Sequence, residues 1–147
     1  MTDVIPAIRE QVCRYRYFSI VLILTLLYAV FFSWVGIWWH GLYYTNVDLD
    51  IFEQALWTTI HSGEILYTNE YGGSSHFGTH FSPILLLMLP VYALAPVTET
   101  IIIIQAVILA MGAIPLYYIG KKEVSEPAGV ITSVVYLLYP ALHGVNT

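Results

Sequence analysis

Residues 17–39 form an unbroken apolar run without a single charged side chain. A helix over that run is about 34 Å long at 1.5 Å per residue, enough to cross a hydrocarbon layer about 30 Å thick. The run is too long for the apolar core of a signal peptide, and the W-W-H-G after it offers no small-residue cleavage site. It is predicted to be an uncleaved transmembrane anchor. The composition agrees: 58% of the residues are hydrophobic, 10% are charged and the mean hydropathy is +0.71, which excludes an ordinary soluble domain. The expected fold class is all-α, with polytopic transmembrane helices in a single membrane domain of 147 residues. One cysteine, Cys13, excludes an intramolecular disulfide and any cysteine-based metal cluster.

The charges orient the chain. Arg9, Arg14 and Arg16 precede the first span and place the N-terminus in the cytoplasm. Trp34, Trp38, Trp39, Tyr43 and Tyr44 form an aromatic belt at the far surface. Later apolar runs occupy residues 81–94, 100–119 and 127–143. As a helix the first of these reaches only about 21 Å, and Pro90 interrupts it. If it crosses, Lys121 and Lys122 end outside; if it stays in the interface, they end inside, as the positive-inside rule favours. The second arrangement puts every Arg and Lys on one side, and Asp48, Asp50, Glu53, Glu64, Glu70 and Glu99 on the other. Spans are therefore predicted at 17–39, 100–119 and 127–143, the last bent at its outer end by Pro140. Residues 40–98 form an external loop of a multi-pass plasma-membrane protein.

Within that loop, Leu49, Phe52, Leu56 and Ile60 recur at helical spacing, while Asp50, Glu53, Gln54 and Thr58 fall mostly on the other side. An amphipathic helix over about 48–62 is expected, lying on the membrane surface with Asp48 as its N-cap and Gly63 just past its end. Ser82 and Pro83 open a second interfacial helix over about 83–93. Between the two helices Gly72, Gly73 and Gly78 argue against regular structure, and no β-hairpin is expected between Tyr43 and His80.

Each polar group in this loop has two readings. Asp48 and Asp50 can serve as a cap and a partner of the helix dipole. Alternatively, a carboxylate at the water boundary can act as general base toward an acceptor, and a pair can hold a divalent cation, Mg or Mn, that neutralises a phosphate leaving group. His76 and His80 can hydrogen-bond within a loop, or join Asp48 and Asp50 in a mixed metal site. His143 comes to the same face through the topology and Pro140. Neither H-E-x-x-H, a P-loop nor G-x-S-x-G is present.

The segments D-L-D-I-F-E-Q-A-L-W, H-F-G-T-H-F-S-P-I-L-L-L-M-L-P-V-Y-A-L, A-I-P-L-Y-Y-I-G-K-K and Y-L-L-Y-P-A-L-H-G-V-N, in that order, resemble a prokaryotic membrane family known as domain of unknown function 2079. The resemblance covers roughly Tyr44 to Asn146. That family in turn resembles the N-terminal part of C-type glycosyltransferases, membrane enzymes that take sugars from polyprenyl-phosphate carriers. The resemblance implies that Asp50 or Asp48 is catalytic; Glu53, His76, His80 and His143, which the topology puts on the same side, are the expected substrate-binding groups. It also implies a polyprenyl-phosphate sugar as partner beside the lipid bilayer. Such enzymes have more spans, so the chain is expected to be a partial module or to need membrane partner chains. No nucleic-acid partner is expected. The alternative is a non-enzymatic membrane subunit for scaffolding or transport. Transport is weakened because the spans lack ionisable residues, Gln105 being the main polar exception.

Overall fold

The computed structural model describes residues 4–44 and 47–145, with side chains from Tyr15 onward except Tyr71 and Val145. The side chains of Cys13, Arg9 and Arg14, and any amphipathic face on Val4, Ile5, Ile8 and Val12, lie outside the described ones. The architecture is helical: α1 Val4–Gly41, α2 Val47–Ser62, α3 Ile84–Tyr92, α4 Thr98–Met111, α5 Ala113–Glu123, α6 Glu126–Leu137 and α7 Pro140–Val145. Two stretches, Tyr15–Gly41 and Thr98–Glu123, are long and apolar enough to cross a membrane. A core helix of a soluble protein would be mostly buried, whereas 28% of each apolar window is buried here. Leu22, Ile23, Leu26, Leu27, Val30 and Phe31 all stand exposed on α1. Such a continuous apolar surface is stable only where the surroundings are themselves apolar.

Prolines divide two of the predicted segments. The run expected as one span over 100–119 consists of α4 and α5, separated at Gly112. Pro115 has no N–H to offer the carbonyl of Met111, which is the bond that would have carried the helix through. Likewise the span expected over 127–143 ends as α6 at Leu137 and resumes as α7 at Pro140. Tyr139 precedes a proline, whose ring disfavours the helical conformation one residue back.

The chain divides into two compact units, one made of Met1–Val35 with Gln105–Thr147, the other of Gly36–Ile104. In the first, Tyr28, Ala29, Phe32, Ala106, Ala110, Ala113 and Leu137 form the buried core. Helices α5 and α6 approach until backbone meets backbone. A Cβ on Gly120 would lie 2.9 Å from the Cα of Gly129, and one on Gly129 would lie 2.5 Å from the carbonyl oxygen of Tyr117. Ser133 donates to the carbonyl of Ala113 at 2.8 Å, and Tyr136 donates to that of Leu109 at 2.8 Å. Small residues and interhelical hydroxyl bonds are how helices associate where lipid removes the hydrophobic driving force. At the α5–α6 turn Ser125 caps α6 through the Ala128 amide, and Glu126 takes a hydroxyl bond from Tyr117 and an ion pair from Lys121 at 2.6 Å.

In the second unit Ala55, Leu56, Leu66, Leu85, Tyr92 and Ile101 are the core, with Leu49, Phe52, Phe77, Met88 and Leu89 packed on it. Helix α2 begins at Val47, so Asp48 lies inside its first turn rather than at the cap; an acidic group there still faces the positive end of the helix dipole. Gly63 follows at φ 73°, the left-handed conformation that ends helices. The glycine-rich stretch departs from expectation. It carries a minimal antiparallel hairpin, β1 Tyr67–Thr68 with β2 Ser74–Ser75, and two 3-10 turns at Glu70–Gly72 and His76–Gly78. The same glycines that argued against regular structure make the reversal possible, since Gly72 and Gly73 adopt φ 94° and 83°. The polar side of α2 anchors the loop. Thr58 donates to the carbonyl of Tyr67 at 2.8 Å, the Leu66 amide donates to Thr59 Oγ1 at 2.7 Å, and the Asn69 amide donates to Gln54 Oε1 at 3.0 Å.

Candidate functional site

A cleft of about 280 Å³ opens within the second unit, lined by Asp48, Ile51, Phe52, Glu70, His76, His80 and Ser82. Three of these residues come from α2 at spacings i, i+3 and i+4, so they share one face. The hairpin brings the rest: Glu70 stands in the 3-10 turn after β1, His76 opens the one after β2, and Ser82 precedes α3. His76 is fixed by its backbone. Its amide donates to the carbonyl of Leu66 at 2.7 Å, and its own carbonyl accepts from the His80 amide at 2.8 Å and the Thr79 hydroxyl at 3.0 Å.

His76 is 2% exposed, and its ring sits edge-on to Phe52 at 5.5 Å and tilted to His80 at 5.7 Å. Among the described residues neither ring nitrogen has a hydrogen-bond partner, and Oε2 of Glu70 is buried without one as well. Buried polar groups are ordinarily satisfied, because an unmet one forfeits the water it lost on folding. Both groups stand in the wall of the same cleft.

The candidate residues separate. Asp48, His76 and His80 line the cleft together. Asp50 is exposed and is not among the lining residues, since i and i+2 diverge on a helix. Glu53 is not among them either: it accepts a hydrogen bond from Thr98 at 2.5 Å, tying α2 to the start of α4. Nearby, burial and then the charge of Glu53 raise the pKa of Tyr92, whose hydroxyl is buried and unpartnered among the described residues. His143 belongs to the first unit, where Nε2 donates to the carbonyl of Leu137 at 2.8 Å and the ring packs 4.9 Å from Phe32. His61 stacks on Trp57 at 4.3 Å. Among the described residues no three His, Cys, Asp or Glu side chains converge so as to hold a metal ion. The mixed set of Asp48, Asp50, His76 and His80 is therefore not gathered at one point among the described residues, Asp50 standing outside the cleft lining. Sequence reasoning missed Glu70 and Ser82 as cleft residues. Ile51 and Phe52 were within its reach, as the i+3 and i+4 neighbours of Asp48.

Helices able to cross a membrane, joined to a unit with a polar cleft, define a helical integral membrane protein. The chain belongs to the family described as predicted membrane protein (DUF2079), whose family model matches residues 39–147. No curated protein and no solved structure matches it.

Proposed function

We propose that this protein acts as a C-type glycosyltransferase or a module of one, moving a sugar from a polyprenyl-phosphate carrier to an acceptor at the extracytoplasmic face. One observation carries the reading: the Asp48 carboxylate lines the same cleft as His76, His80 and Ser82. Asp48 accepts the proton of an acceptor hydroxyl. The acceptor oxygen bonds to the anomeric carbon as the bond from that carbon to the phosphate oxygen breaks, and the configuration inverts. Polyprenyl phosphate leaves with the bonding electrons. His80 and Ser82 supply hydrogen-bond donors for its developing charge. Asp48 takes the role of base in preference to Asp50 because it alone of the two lines the cleft.

The test is transfer of a labelled sugar from polyprenyl phosphate in membranes carrying the protein. Asp48→Asn keeps the shape and removes the base, and is expected to lower transfer by about 10²- to 10⁴-fold with insertion unchanged. Asp50→Asn is expected to retain transfer. Equal activity of wild type and Asp48→Asn would refute the assignment. Absence of transfer by wild-type membranes would favour the non-enzymatic subunit.

A further inference from the structure

We propose that the cleft binds a protonated primary amine, held by the buried carboxylate oxygen of Glu70 with Asp48 and His76 as its further hydrogen-bond partners. The inference deepens the transferase reading, on which it rests only for the sugar that bears the amine.

The first ground is charge. Residues 36–104 contain Asp48, Asp50, Glu53, Glu64, Glu70 and Glu99, and no lysine or arginine. Two of those carboxylates line the cleft, where the remaining titratable groups are the imidazoles of His76 and His80. Beside Asp48 and Glu70 an anionic group meets like charge and a cation is drawn in.

The second ground is the pattern of unmet groups. Glu70 Oε2 accepts only, and a neutral imidazole offers one donor and one acceptor. Both groups are buried and unpartnered among the described residues. An ammonium has three N–H donors, which suit a wall offering the carboxylate oxygens of Glu70 and Asp48 and the acceptor nitrogen of His76. Charge-assisted bonds of this kind are shorter and stronger than those a neutral hydroxyl would make. The third ground is shape. A divalent metal needs several ligands converging on one point, and no such trio exists among the described residues. Ammonium tolerates looser geometry, and the ring of Phe52 in the wall adds attraction for a cation.

The experiment is equilibrium dialysis with the full chain in lipid nanodiscs. The probes are glucosamine, N-acetylglucosamine, glucose and ethanolamine. Glucosamine and ethanolamine are expected to bind, and N-acetylglucosamine and glucose to bind at least about tenfold more weakly. Glu70→Gln is expected to abolish the preference for glucosamine while leaving glucose unchanged. The wild-type comparison needs no variant, so the inference stays testable should Glu70→Gln fold poorly. Equal binding of glucose and glucosamine overturns the amine site and leaves the sugar reading standing. Binding of ethanolamine without any sugar keeps the amine site and removes the sugar reading. Loss of amine binding to an equal concentration of Mn²⁺ assigns the cleft to a metal and overturns the inference.

Discussion

Asp48 and Asp50 differ by two positions and are both exposed, but the divergence of i and i+2 on a helix leaves only Asp48 in the cleft lining. The same logic governs Glu53, whose carboxylate is taken up by Thr98. Tyr92 offers a sharper test at this scale. Its hydroxyl is buried and unpartnered among the described residues, so Tyr92→Phe should leave stability at neutral pH unchanged to within about 1 kcal/mol. Alkali should separate the two proteins. The phenol's ordinary pKa is 10.0, and burial followed by the charge of Glu53 raises it in the folded state. Above about pH 10 the unfolded chain releases this proton while the folded chain keeps it, so stability falls as pH rises. Thermal melts in detergent between about pH 9 and 11 should show a shallower decline for Tyr92→Phe than for wild type. Parallel declines would mean that Tyr92 ionises as an ordinary surface phenol.

Among the elements, the α5–α6 pair shows how little side chain a membrane-type contact needs. Gly129 faces the Tyr117 carbonyl so closely that a methyl group has no room, and the obstructing atoms are largely backbone. Gly129→Ala should therefore destabilise the fold by about 1–3 kcal/mol, measured by unfolding in mixed micelles. At Gly144 in α7 nothing lies within 4 Å of the place a methyl group would take, and Gly144→Ala should be neutral or slightly stabilising through helix propensity. Equal effects at both sites would show that close approach does not decide the pairing. Helix α2 works differently. Its threonines and Gln54 replace solvent as partners for the hairpin backbone, so the helix that carries Asp48 also fixes Glu70 and His76 across from it.

At the scale of the whole molecule the charges are segregated. Residues 36–104 hold six carboxylates and no lysine or arginine, while Arg9, Arg14, Arg16, Lys121 and Lys122 all fall in the other unit's segments. Positive loops are retained in the cytoplasm, which predicts an outward-facing acidic unit. In a Cys13→Ser background, cysteines at Ser74 and Glu99 should label with an impermeant thiol reagent from outside, and one at Ser125 should not. Labelling at Ser125 with protection at Glu99 would show that residues 81–94 cross the membrane.

The helical membrane class was legible in the sequence by itself, because apolar length and uncharged composition leave a chain few ways to satisfy its backbone in lipid. Helix α2 was legible too, since the recurrence of Leu49, Phe52, Leu56 and Ile60 is a local property of the chain. Breaks at Gly112 and before Pro140 were written in the prolines but outweighed by the length of the apolar runs. What only the tertiary structure decided is which polar groups meet. Glu70 and His76 come to line one cleft with Asp48 through a hairpin whose backbone is bonded to Thr58, Thr59 and Gln54, side chains 7 to 15 residues earlier in the chain. Spacing along the chain reports the face of a helix, whereas the pairing of a helix face with a loop is set by hydrogen bonds and packing between segments, which no local pattern encodes.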